Sequence, residues 1–97
     1  MALPTKDLVE EAARQLDSST DDILAKGLRA FLEKELREVK IEIFQIAQQY
    51  GVSSVEELES RYRDGTVEEA ASWRDLQRLD HLEYRRDQLE ALLARVE

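Results

Sequence analysis

The chain has 97 residues, a formal net charge of −8, 42% hydrophobic content and no cysteine. That length allows a single domain, and the missing cysteines exclude a disulfide framework and any thiolate metal site. No apolar run approaches the ~20 residues that span a bilayer, and Asp7, Glu10 and Glu11 interrupt any apolar region of a signal peptide, so a cytoplasmic protein is expected.

The first predicted helix runs from about Thr5 to Leu16. Thr5 is its expected N-cap, and Leu8, Val9, Ala12, Ala13 and Leu16 recur at helical spacing. The run Asp17-Ser-Ser-Thr20 ends it, because four small polar side chains in a row compete for backbone hydrogen bonds and suit a turn with a new cap.

The second helix is long, from about Thr20 to Tyr50. Asp21 and Asp22 lie in its first turn, near the positive end of the helix dipole. Leu24, Leu28, Phe31, Leu32, Leu36, Val39, Ile43, Ile46 and Tyr50 step by threes and fours. The pairs Asp22/Lys26, Glu33/Arg37 and Lys34/Glu38 are each one turn apart on the other side. Gly51 is the natural stop. Stripes of this length are commonly buried between two chains, so Leu24, Leu28, Phe31, Leu32, Leu36, Val39, Ile43 and Ile46 are the expected core of a homodimer.

A short third helix follows. Ser53–Glu56 and Ser54–Glu57 both fit a capping box, Val55, Leu58 and Tyr62 make an apolar face, and Asp64-Gly65 closes it. Thr66–Glu69 is another capping box, opening a last helix that is expected to reach about Arg95. There Leu79, Leu82, Leu89, Leu93 and Val96 fall on heptad-like positions, with Arg86 on the same seam. Leu76 and Leu92 widen the stripe, and Trp73 and Tyr84 flank it. The expected architecture is therefore all-α. It has two long antiparallel helices joined by a short one and a short N-terminal helix, in one domain over 1–97. Residues 1–50 supply the dimerisation-like helices and 51–97 the short helix and the long C-terminal one.

No constellation carries catalysis. His81 is the single histidine, and the places one turn away hold Gln77, Arg78, Tyr84 and Arg85, which make no metal site. Asp80, Glu83, Asp87 and Glu90 form an acidic stripe, but Arg78, Arg85 and Arg86 interleave with it, so it reads as a solvated, ion-paired face. The three glycines stand apart and cradle no phosphate. No nucleophile is paired with a base. The expectation is a non-enzyme with neither metal nor cofactor.

What remains are surfaces for partners. Acid is spread along the chain, ten acidic and seven basic residues in 1–50, twelve and seven in 51–97. Such a chain is repelled by bare phosphate backbones and suits a basic protein, unless the charge serves solubility alone. Arg61-Tyr-Arg63 and Tyr84-Arg-Arg86 mix aromatics with arginine, as interfaces do, yet Glu57 and Glu59 stand one turn before Arg61 and Arg63 and supply surface ion pairs. Trp73 either caps the core near the turns of 51–66 or anchors a partner. Trp73, Leu76, Tyr84, Arg85 and Arg86 are the expected contact region.

The stretch "LPTKDLVEEAARQLDSSTDDILAKGLRAFLEKEL" resembles the helical part of ribbon-helix-helix proteins, the fold of many bacterial antitoxins and small repressors. Ser19 stands at the first serine of that family's second-helix pattern. Asp22-Ile23-Leu24 fills its Glu-Leu-Ile positions, Gly27-Leu28 its Ala-Leu and Phe31-Leu32 its Tyr-Leu. The resemblance implies a helical dimer core and, before the Leu-Pro, a strand that pairs across the dimer and reads base edges in the major groove. That strand would be Met1-Ala2-Leu3, which has no Arg, Lys, Asn or Gln to offer a base. The stretch "YGVSSVEELESRYRDGTVEEAASWRDLQRLDHLE" is similar to short helical antitoxins of archaea and bacteria, which implies acidic helices that cover a basic, ribonuclease-type toxin. The leading expectation is an antitoxin-like subunit. A dimeric DNA-binding regulator with a vestigial ribbon and a structural coiled-coil adaptor are the alternatives.

Overall fold

The structure is a computed structural model that describes residues 2–65 and 69–96, with the side chains of 69–71 left outside the description. The described chain is all-helical, without a strand: α1 (Thr5–Gln15), α2 (Thr20–Tyr50), α3 (Val55–Asp64) and α4 (Glu69–Leu93). The capping box at Thr66–Glu69 and the residue Met1 fall outside the described residues, so the expected ribbon is represented by Ala2 and Leu3, which lie in neither helix nor strand.

Local chemistry sets the boundaries. The N-cap of α1 is Pro4 and not Thr5, and it offers no side-chain bond to the first turn. Proline fixes its own φ near the value that leads into a helix, so the chain enters without a polar cap. At the other end Asp17 takes a left-handed conformation (φ 53°), and the Ser18 N–H returns to the Ala13 carbonyl at 2.9 Å. Aspartate tolerates that conformation better than most residues. The Ser19 hydroxyl then accepts from the Asp22 N–H at 3.0 Å and starts α2.

Helix α2 ends at Gly51 (φ 65°), which only glycine adopts without strain. Its last carbonyls are also met from outside: the Arg61 guanidinium of α3 donates to the carbonyls of Tyr50 and Gly51. A cation there also complements the negative end of the helix dipole. For α3 the chain uses the second of its two serine registers. The Ser54 hydroxyl accepts from the Glu57 N–H at 3.2 Å, and the Glu57 carboxylate accepts from the Ser53 N–H at 2.8 Å. The bond to the Ser53 N–H, then that to its hydroxyl, and the nearby Arg61 charge hold the Glu57 carboxyl below the usual carboxylate range. A third bond comes from α4, whose Glu83 carboxylate accepts from the Val55 N–H at 3.1 Å.

The long helices run antiparallel. Tyr50 meets Asp75, Glu42 meets Arg78, Glu35 meets Arg85, and Arg29 donates to the Val96 carbonyl at 2.9 Å, so partners descend on one helix as they rise on the other. Between them lie two apolar clusters. Ala47, Val52, Leu58, Leu76 and Leu79 tie α2, α3 and α4 at one end, and Leu32, Val39, Leu82 and Leu89 fill the middle of the pair. The leucine seam of α4 is thus core as expected. Arg86 on the same seam keeps a third of its side chain exposed beside Asp87. Helix α4 stops at Leu93, short of Arg95, and its last turn tightens through bonds from Arg95 and Val96 to the carbonyls of Leu92 and Leu93.

The result is a slab with extents of 62 × 30 × 15 Å, little thicker than the ~10–12 Å of one helix with its side chains.

Candidate functional site

Helix α4 ends level with Arg29, so the first turns of α2 project beyond the helix pair and carry α1 with them. This decides the fate of the stripe expected as a homodimer core. Leu32 and Val39 are buried, and Leu36, Ile43 and Ile46 half-buried, within the chain against α4. Leu24 lies beyond the end of α4 and stays 58% exposed, Leu28 lines a groove with Leu92 and Val96 and is 49% exposed, and Phe31 is 56% exposed within the reach of α4. At spacings of four and three they share one side of α2.

Two shallow grooves adjoin this row. One, of about 370 Å³, lies between α1 and α2 and is lined by Thr5, Lys6, Val9, Glu10, Thr20 and Leu24. The other, of about 430 Å³, lies between α2 and the end of α4 and is lined by Ala25, Leu28, Leu32, Leu92, Arg95 and Val96. Leu92 is 46% exposed at its rim. The charged side chains that line them are Lys6 and Glu10 in the first and Arg95 in the second. Arg14 is bound to Glu11, Lys26 to Asp22 and Arg29 to the Val96 carbonyl. Asp7, Glu10, Asp17 and Asp21 make no ion pair among the described residues.

The contact region expected from the sequence does not form one patch. Leu76 is buried in the core. Arg85 is joined to Glu35 at 3.2 Å and Arg86 to Asp87 at 3.1 Å. Trp73 is half exposed and leans on Tyr62 with ring centroids 6.1 Å apart, at the α3 end of the molecule. Tyr84 shares its side of α4 and is exposed, eleven residues further on. His81 is exposed as well, and among the described residues no group of three or more His, Asp or Glu could hold a metal ion. No described helix is long and apolar enough to cross a membrane.

Sequence reading missed the projecting end as a separate surface. The signal was there in Leu24, Leu28 and Phe31, but nothing in the residues alone tells how far along α2 the partner helix reaches.

These features define an all-α protein built on an antiparallel helix pair, with an uncovered apolar end. The chain belongs to the Uncharacterized protein MJ0235 family, whose family model matches residues 1–97. No curated protein and no solved structure matches it.

Proposed function

We propose that the chain is a non-enzymatic binding subunit of the cytoplasm, an antitoxin-like protein that covers a basic, ribonuclease-type partner. One observation carries the reading: the chain leaves far more surface in water than its mass requires. Its accessible surface is 7427 Å², against about 5,700 Å² for a compact monomer of 11.3 kDa. Its radius of gyration is 19.8 Å, against about 13 Å for a compact domain of this length. The surplus of about 1,700 Å² is roughly twice what one partner gives up in a standard interface. A homodimer that also holds a second protein fits that area. The net charge of −8 favours a basic surface as the second protein and disfavours bare nucleic acid.

Co-expression with the product of the adjacent gene tests the reading. The expected result is a heteromer stable through size-exclusion chromatography, with any ribonuclease activity of the partner suppressed in it. Recovery of the homodimer alone would leave a structural adaptor as the better reading. Duplex DNA binding with a steep salt dependence would instead favour the DNA-binding regulator.

A further inference from the structure

We propose that Gly27 is a hinge, about which an N-terminal arm, α1 with the first two turns of α2, swings against the body formed by α2 and α4. The proposal stands apart from the identity of any partner. It begins with a glycine that its surroundings do not require. Gly51 and Gly65 end helices at positive φ, whereas Gly27 lies inside α2 and has no positive φ. A Cβ built on it meets nothing within 4 Å, so no close approach excludes a side chain there. Glycine is the poorest helix former after proline, because it leaves the backbone the most freedom. Its effect here is to soften the helix at one residue.

The place of that residue makes the soft point a joint. Two residues later the Arg29 guanidinium donates to the Val96 carbonyl at 2.9 Å and fastens α2 to the end of α4. Beyond it the body side of α2 is held by buried Leu32, Val39 and Ala47. Before Gly27 no residue of α2 is buried, and α1 brings to this arm a single buried residue, Ala13. The body is thus clamped as far as Arg29, and the arm starts within one turn of the clamp. Hinges of this kind are a few residues, often small, between parts that move as units, on timescales of microseconds to milliseconds. A bend of about 20° carries Ser18, nine residues or about 13 Å from Gly27, through roughly 5 Å. The groove of about 430 Å³ lies across the joint: Ala25 lines it from the arm, and Leu28, Leu32, Leu92, Arg95 and Val96 line it from the body. The swing therefore widens and narrows that groove.

The test is a distance measurement between two spin labels on the full chain, which has no native cysteine and takes labels only at introduced ones. The pair S18C/Q88C spans the joint, the pair D7C/K26C lies within the arm, and all four positions are exposed. Dilution with unlabelled chain removes any distance between copies. Pulsed dipolar spectroscopy should give a broad or two-peaked distance for S18C/Q88C and a single narrow one for D7C/K26C. Gly27→Ala should collapse the S18C/Q88C distance to one narrow peak. The double variant G27A/A30G keeps the number of glycines in α2 but moves one to an exposed position inside the clamped segment, so the distance should stay narrow. A narrow S18C/Q88C distance in the wild type overturns the proposal, and so does a breadth that Gly27→Ala leaves unchanged. Breadth restored by G27A/A30G also overturns it, because glycine content and not the joint then sets the motion. Breadth confined to D7C/K26C would place the movement in the turn at Asp17–Ser19 and would equally remove the hinge.

Discussion

Tyr50 joins the end of α2 to α4 through a polar contact. Its hydroxyl donates to the Asp75 carboxylate at 2.5 Å. Burial first, then this bond and the neighbouring negative charge, push the hydroxyl up to about 12 from its ordinary 10.0. A raised pKa means that the folded state holds the proton more tightly than the unfolded one. The stabilisation is therefore complete below pH 10 and is lost as pH rises towards 12. Tyr50→Phe should cost about 1–2 kcal/mol at neutral pH. The stability difference between wild type and variant should stay flat up to about pH 10 and shrink above it, as read by urea unfolding at a series of pH values. A second residue offers the opposite sign. Gly27 sits inside α2, and a Cβ built on it meets nothing within 4 Å. Gly27→Ala should therefore raise stability by about 0.5–1 kcal/mol through helix propensity and a less disordered unfolded chain.

Between elements, apolar seam and ionic rim differ in weight. Leu79 is fully buried where α2, α3 and α4 meet. Next to it in sequence, Arg78 reaches Glu42 at 2.6 Å with both side chains about half exposed. Leu79→Ala should cost about 2–5 kcal/mol, because it removes buried carbons and leaves a cavity. Arg78→Ala should cost less than about 1 kcal/mol, because an exposed pair gains little over water. Thermal or urea melts of the two variants check the ratio. The helices and their seam were legible for the same physical reason: Leu79, Leu82 and Leu89 repeat at the period of the helix that buries them. Turn chemistry was legible too, since Ser19, Gly51 and Gly65 act where they stand. Contacts between elements were not. Arg61 pairs with Glu57 as the one-turn spacing implied, but its capping of the end of α2 depends on where α3 lands. Glu83 was read as part of a solvated stripe and proves to cap α3. Leu24 and Leu32 look alike in the pattern, yet one is exposed and the other buried, because the end of α4 falls between them.

Across the whole molecule, stability is spread unevenly, and α1 is its weakest part. An isolated helix of eleven residues is too short to persist in water. Tertiary packing must hold it, and Ala13 is its one buried residue, while Leu8 and Leu16 are 54% and 75% exposed. Alanine burial removes little apolar surface, so docking of α1 on α2 is worth a small part of the total. The stretch of α2 from Leu32 to Ala47, by contrast, faces both apolar clusters. Amides of 5–15 in the free chain should therefore exchange with solvent on the order of a hundredfold faster than those of 32–47. Gln15 through Thr20 carry no further apolar anchor, so the whole α1 segment should open as one unit. If the N-terminal end is where a partner seats, complex formation should slow exchange at α1 most, since covering Leu8, Leu24 and Leu28 adds the apolar contact that α1 lacks. Hydrogen exchange followed by mass spectrometry, on the free chain and on the complex, reads both effects. Protection of α1 in the free chain equal to that of α2 would mean that this end is already covered by a second copy.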